Sequence, residues 1–280
     1  MMPQAAKYIL LAVLTVVGSA CGTQASKPNN TTNNSVGISS LPEKPLSQFP
    51  SPASAALGSL SSHTPVPLAA PLSIPADLSA KITSTKLRYA VSLYRCQLQL
   101  PLNSPEIGNP PGCSGLASYV GEFGGTRYPT AGAARLGLST LQEQPTRVCG
   151  PNSNSTQQVR LVRGVRGVLT SSKGVFGYCE MRFELNGWTI LISGNVTLHS
   201  VAEAKQQGSR VVDLMTKVRM PGKNGVVVIQ IAGDGNHTWL TWTIGQNLYA
   251  VSEYHSISAA FAMASSMTWV SSVPSHKSAQ

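Results

Sequence analysis

Residues 178–193, YCEMRFELNGWTILIS, constrain the fold more than any other stretch of the chain. Cys179, Met181, Phe183 and Leu185 alternate with Glu180, Arg182 and Glu184, the two-residue period of a half-buried strand. Asn186-Gly187 follows, and both residue types tolerate the positive φ of a tight hairpin turn. WTILIS (188–193) is then the returning strand.

The next segment changes period. In HSVAEAKQQGSRVVDLMTKVRMPG (199–222), Ser200 and Glu203 form an S-x-x-E capping box. Val201, Ala204, Val211, Met215 and Val218 then recur at helical spacing, and Pro221-Gly222 ends the run. VVVIQIA (226–232) reads as a well-buried strand and GDGN as a turn. HTWLTWTI (237–244) places Leu240, Trp242 and Ile244 on one face and Trp239 on the other. LYAVSEY (248–254) returns, and SISAAFAMASSM (256–267) carries Ile257, Ala260, Phe261, Ala264 and Met267 on one helical stripe. The order is β-β-α-β-β-β-α. Earlier in the chain, LRYAVSLYRCQLQL (87–100) and QQVRLVRGVRGVLT (157–170) read as strands. Residues 101–156 are rich in Gly, Pro and Asn, with one short helix near Leu116 to Val120. The expected class is α+β: a mixed, mainly antiparallel sheet with about two helices packed on one face.

The N-terminal third differs in kind. Lys7 precedes a ten-residue apolar run, Tyr8 to Val17, and Gly18-Ser19-Ala20 offers a small-residue cleavage region. That is the anatomy of a secretory signal. Ten residues are too few for a membrane-spanning helix, which needs ~20. Residues 21–82 are rich in Ser, Thr, Asn and Pro, which predicts a flexible tether, because such a segment buries too little apolar surface to offset its ordering entropy. Residues 83–270 are expected to form the single folded domain, and 271–280 a flexible tail.

Five cysteines in an exported chain divide as one plus four. Cys96, Cys113, Cys149 and Cys179 are expected to form two disulfides; of the three possible pairings, Cys96 with Cys113 and Cys149 with Cys179 is favoured, because each closes a loop without crossing. Without a C-x-x-C pair, a thiolate metal site is not expected. Cys21, left over, directly follows the cleavage region. This resembles the bacterial lipoprotein pattern, in which the cysteine ending the lipobox is diacylated and becomes the first residue of the mature protein. Ser19, Ala20 and Cys21 fit that pattern, whereas Gly18 stands where an aliphatic residue is usual. The resemblance implies anchorage to the extracytoplasmic side of the cell membrane, with secretion as the alternative. The block LTWTIGQNLYAVSEYHSISAAFAMASSM (240–267) is similar to the end of extracytoplasmic domains of unknown function in Gram-positive lipoproteins and anti-sigma-type membrane proteins. Trp242, Tyr249, Ala264, Ser266 and Met267 carry that likeness. It implies a domain that senses, binds or scaffolds, and supplies no catalytic residues.

The net charge of +10 arises from 21 Lys and Arg against 11 Asp and Glu, so scarce carboxylates set the balance. In an exported chain this favours cell-wall polymers, lipid head groups or envelope proteins over nucleic acid. Nine carboxylates after residue 80 supply paired acid/base chemistry thinly. The five histidines stand in no metal-binding spacing; His237 reads as turn chemistry. Thr170-Ser171-Ser172-Lys173 lacks the leading serine of an S-x-x-K nucleophile. No cofactor or metal is expected, and a non-catalytic binding or sensing module is favoured over an envelope hydrolase or a structural protein. Trp239 is the candidate binding aromatic. Arg160, Arg163 and Arg166, three apart, are candidate anion contacts, although on one continuous strand that spacing alternates faces and makes no single basic patch.

Overall fold

The computed structural model describes residues 41–110, 112–113, 118–143, 153–172, 179–194, 200–232 and 235–271. Cys21 and Cys149, the cleavage region and the tail lie outside them. Thirteen strands and four α-helices are present among the described residues. The short strands β1 (Glu43–Lys44) and β2 (Ala69–Pro71) flank the last strand, β13 (Met267–Val270), in a three-stranded sheet. The remaining strands make one ten-stranded sheet: β3 (Ser79–Thr85), β4 (Arg88–Tyr94), β5 (Tyr119–Arg127), β6 (Ser153–Arg160), β7 (Arg166–Ser172), β8 (Glu180–Leu185), β9 (Trp188–Gly194), β10 (Gly225–Ala232), β11 (Gly235–Ile244) and β12 (Asn247–Glu253). Their spatial order is β3-β4-β5-β12-β11-β10-β9-β8-β7-β6. Only the β9–β10 pair is parallel in this sheet. The helices are α1 (Ser51–Leu60), α2 (Ala131–Glu143), α3 (Val201–Lys217) and α4 (Ile257–Ser265). The α+β class and the β-β-α-β-β-β-α order of the second half hold.

The hairpin β8–β9 turns at Asn186 (φ 53°) and Gly187 (φ 80°), the conformations its sequence signals. Helix α3 begins as expected: the Ser200 hydroxyl accepts from the Glu203 amide at 3.2 Å. It is the crossover that allows β9 and β10 to run parallel.

A single row crossing six strands organises the larger core. In register it reads Tyr89, Gly125, Tyr249, Trp242, Gly225, Trp188. Tyr89, Tyr249, Trp242 and Trp188 are fully buried. The two glycines give them room. A Cβ at Gly125 would press on the rings of both Tyr89 and Tyr249, and one at Gly225 would collide with the Trp188 ring. Trp242 lies 6.3 Å from Tyr249 and 6.4 Å from Trp188 between ring centroids.

Helices α1, α3 and α4 share a hydrophobic cluster with this face of the sheet. Helix α2 packs against β10, β11 and β12 from the other face. Its buried Ala134, Leu138 and Leu141, with Leu191, Val226 and Leu248, stand outside the main cluster. The expected two helices on one face are therefore four on two faces. Helix α2 lies where the Gly-rich composition indicated irregular chain. Its start is marked by Thr130, whose hydroxyl accepts from the Ala133 amide at 3.1 Å.

Residues 41–82, expected to be tether, belong to the folded domain rather than preceding it. Phe49, Ala53, Ala56, Leu57, Leu60, Val66, Ala69, Ile74 and Leu78 are all buried in the main cluster. Prolines did not prevent this, because Pro52 sits in the first turn of α1, where its missing N–H has no partner to lose. Residues 65–71 are latched to the aromatic row. The Tyr89 hydroxyl bonds both the amide and the carbonyl of Ala69 at 2.9 Å, and the Tyr249 hydroxyl donates to the Pro67 carbonyl at 3.0 Å. Two further boundaries differ from expectation. Residues 157–170 are not one strand but a hairpin, β6 and β7, around a 3₁₀ turn at Val162–Gly164. The α4 stripe ends before Met267, which opens β13 instead.

Cys96 and Cys113 form the expected disulfide, with Cα atoms 4.4 Å apart. Cys179 is disulfide-bonded as well; its expected partner, Cys149, lies outside the described residues. The loop closed by the first bridge shields the outer edge of β3. The Asn103 amide donates to the Ala80 carbonyl at 3.0 Å, and its side-chain oxygen accepts from the Ile82 amide at 2.7 Å. An exposed strand edge is thereby covered.

Leu57→Ala tests the altered domain boundary. Removal of a buried leucine should cost about 2–5 kcal/mol in urea unfolding. A change near zero would mean that α1 is not part of the core.

Candidate functional site

The face of the sheet opposite the three-helix layer bears a polar and aromatic patch beside α2. Its first row follows the strand register: Ser92 on β4, Glu122 on β5, Ser252 on β12 and Trp239 on β11. The Ser92 hydroxyl donates to a Glu122 carboxylate oxygen at 2.8 Å. Ser252 is hydrogen-bonded to Tyr119. The next row is aromatic. Tyr119 meets Tyr94 edge-on with centroids 5.5 Å apart, and Tyr254 edge-on at 6.1 Å. His237 lies against Tyr254 at 3.7 Å and 5.8 Å from Trp239. Ser252, His237 and Tyr254 are buried, whereas Tyr94, Tyr119, Glu122 and Trp239 are half-buried and reach the surface.

The local chain explains the geometry. The register of β4 on β5 shifts between Leu93 and Tyr94. A bulge of this kind re-aims side chains, and here it sets Tyr94 opposite Tyr119. Across β4, β5 and β12, the row next to the carboxylate is Ala90, Gly124 and Ala250, all small residues.

Burial raises the Glu122 carboxyl above its ordinary range; the Ser92 hydrogen bond and the Arg88 charge oppose this without cancelling it. Burial, reinforced by Glu122, likewise raises the Tyr119 and Tyr94 phenols, so both are neutral donors at physiological pH. Glu253 is also raised, first by burial, but accepts hydrogen bonds from the His255 and Ser256 amides at the start of α4 on the opposite face. A two-carboxylate mechanism pairing it with Glu122 is therefore excluded by the intervening sheet.

Trp239 stands where the alternation placed it, away from the buried Trp242. His237 is a buried strand residue, not a turn residue. Glu122 and the three tyrosines have no counterpart in the sequence-based site; the available signal was a lone carboxylate within the small and apolar run of β5. Arg160, Arg163 and Arg166 lie on the distant β6–β7 hairpin and take no part in the patch. Among the described residues there is no cluster of His, Cys, Asp or Glu that would hold a metal ion, and no helix is long and apolar enough to cross a membrane. Comparisons of the chain with protein-family models, curated proteins and solved structures find no match.

The raised Glu122 makes a signed prediction. A carboxyl raised by folding stabilises the fold at low pH, and that contribution is lost as pH rises through its folded value. Glu122→Gln removes the titration. The variant should therefore gain stability relative to the parent as pH rises from below the ordinary value of 4.5 to neutrality, read as the difference between urea midpoints at the two pH values. A difference independent of pH would show that Glu122 is ordinarily solvated.

Proposed function

We propose that the chain is a lipid-anchored cell-surface protein whose domain binds a cell-wall glycan over the Trp239–Glu122 patch. The anchor is Cys21, acylated after signal cleavage; the support for it is the apolar run with the Ser19-Ala20-Cys21 junction, and the expected one-plus-four division of the cysteines, in which Cys21 is the one left over. The observation that carries the binding reading is the juxtaposition of half-buried rings with an acceptor carboxylate on one sheet face. Sugars present apolar C–H faces to aromatic rings and hydroxyls to acceptors and donors. Trp239 and Tyr94 supply the first kind of contact; Glu122, Ser92 and Tyr119 supply the second.

A hydrolase is the second reading, favoured by the raised Glu122 as a general acid. It requires a base or nucleophile on the same face, and the other raised carboxylate, Glu253, is on the opposite one.

Two measurements test the proposal. Calorimetric titration with soluble cell-wall glycan fragments should give saturable binding that Trp239→Ala weakens about tenfold or more, equivalent to ~1.4 kcal/mol. No binding by the parent, or equal binding by the variant, would dismiss the glycan site; turnover of the fragments abolished by Glu122→Gln would favour the hydrolase. Independently, Cys21→Ala should lose the diacyl mass from the N-terminus and move the protein out of the membrane fraction.

A further inference from the structure

The hairpin β6–β7 brings together what its sequence spacing appeared to scatter. Because a 3₁₀ turn interrupts the strand, Arg160 and Arg166 become direct cross-strand partners on one face. Like charges set opposite each other in an antiparallel pair repel. Among the described residues, the only ion pair is Arg163 with Asp213 of α3, at 3.5 Å, so no described carboxylate lies within pairing distance of Arg160 or Arg166. All three arginines are exposed. Arg163 holds the turn at φ 56°, a conformation that side-chain-bearing residues seldom adopt.

Apolar residues are exposed on the same hairpin. Val162 opens the turn and Val168 lies on the Arg166 face of β7; each is 38% exposed, in a domain that exposes only three other large hydrophobics among the described residues. Val168 is flanked in register by the uncharged Gln158 of β6 and by Arg182 of β8. Exposed guanidinium groups with no carboxylate partner among the described residues, beside partly exposed aliphatic side chains, match a surface that is anionic and apolar within one side-chain length. A soluble polyanion matches the arginines but not the valines.

We propose that the tip of the β6–β7 hairpin docks on an anionic phospholipid surface, with Arg160 and Arg166 on the phosphates and Val162 and Val168 in the interfacial layer. This contact is separate from the Trp239–Glu122 patch and does not depend on what that patch binds. Attraction to such a surface falls by roughly fivefold for each arginine removed. Removal of the facing pair also relieves their repulsion, so the fold should not weaken.

The test compares two full chains carrying Cys21→Ala, one with and one without Arg160→Gln/Arg166→Gln, in sedimentation with phosphatidylcholine vesicles with and without phosphatidylglycerol. The same N-terminal segment is present in both, so the difference reads the hairpin. The expected result is partitioning that depends on phosphatidylglycerol, is suppressed by salt and falls more than tenfold in the variant, with an unchanged or higher Tm. Val162→Ser/Val168→Ser should weaken partitioning while leaving weak retention on heparin unchanged. Equal partitioning of the arginine variant and its parent would overturn the proposal. So would heparin binding without vesicle binding, or aggregation of the variant in the absence of vesicles, which would assign the arginines to guarding the sheet edge.

Discussion

The architecture depends on the fit between four large rings and two glycines in one cross-sheet row. Trp188, Trp242, Tyr249 and Tyr89 fill a line across the sheet, and Gly225 and Gly125 occupy the places where another side chain would leave no room. The row does more than fill space. Two of its members end in hydroxyls, and both spend them on backbone groups of residues 67–69. The same packing that joins six strands therefore also ties down the proline-rich segment leading into them. Trp269 of β13 meets Tyr249 edge-on at 5.1 Å and brings the last strand to the same point.

Placing three helices on one face of the sheet leaves the other with α2 alone among the described residues. The first face is largely apolar, and its polar groups bond to backbone: Glu253 to the amides at the start of α4, Tyr89 and Tyr249 to residues 67–69. The second carries a carboxylate, neutral phenols and hydroxyls on β4, β5 and β12, held by backbone register rather than by loops. A site on strands is positioned by hydrogen-bonded neighbours on both sides, so Ser92, Glu122, Ser252 and Trp239 keep their spacing without a ligand.

The second half of the domain was legible because its strands alternate cleanly and its turns and caps use the residue types those geometries require: Asn186-Gly187 and Ser200 with Glu203. The first half was not, for reasons that differ by element. Strand β5 contains Gly121, Gly124 and Gly125, which read as a loop until Tyr89 and Tyr249 are known to flank it. Helix α1 lies in a segment whose average composition resembles a tether, although Ala53, Ala56, Leu57 and Leu60 form an apolar stripe. Strand β13 continues the apolar spacing of α4, so its start is invisible to periodicity. Of the site, Trp239 could be read from alternation. Glu122 could not, because its significance comes from Ser92, Ser252 and Tyr119, contributed by separate strands or by a bulged strand end. The arginine triplet was misread for the same kind of reason: spacing along a strand says nothing of a turn that folds one end of the triplet back on the other.

The three-stranded sheet has a consequence for how the molecule is made. Strand β13 is the shared neighbour of β1 and β2, with Trp269 bonded to the Pro42 carbonyl and Val270 to that of Leu68. Strands from the two ends of the described chain are thus paired with each other. The edges of β1 and β2 therefore stay open until β13, nearly the whole domain later in sequence, is in place. Contacts of such long sequence separation form slowly. A chain cut short before Met267 would leave β1 and β2 without the strand that pairs with both.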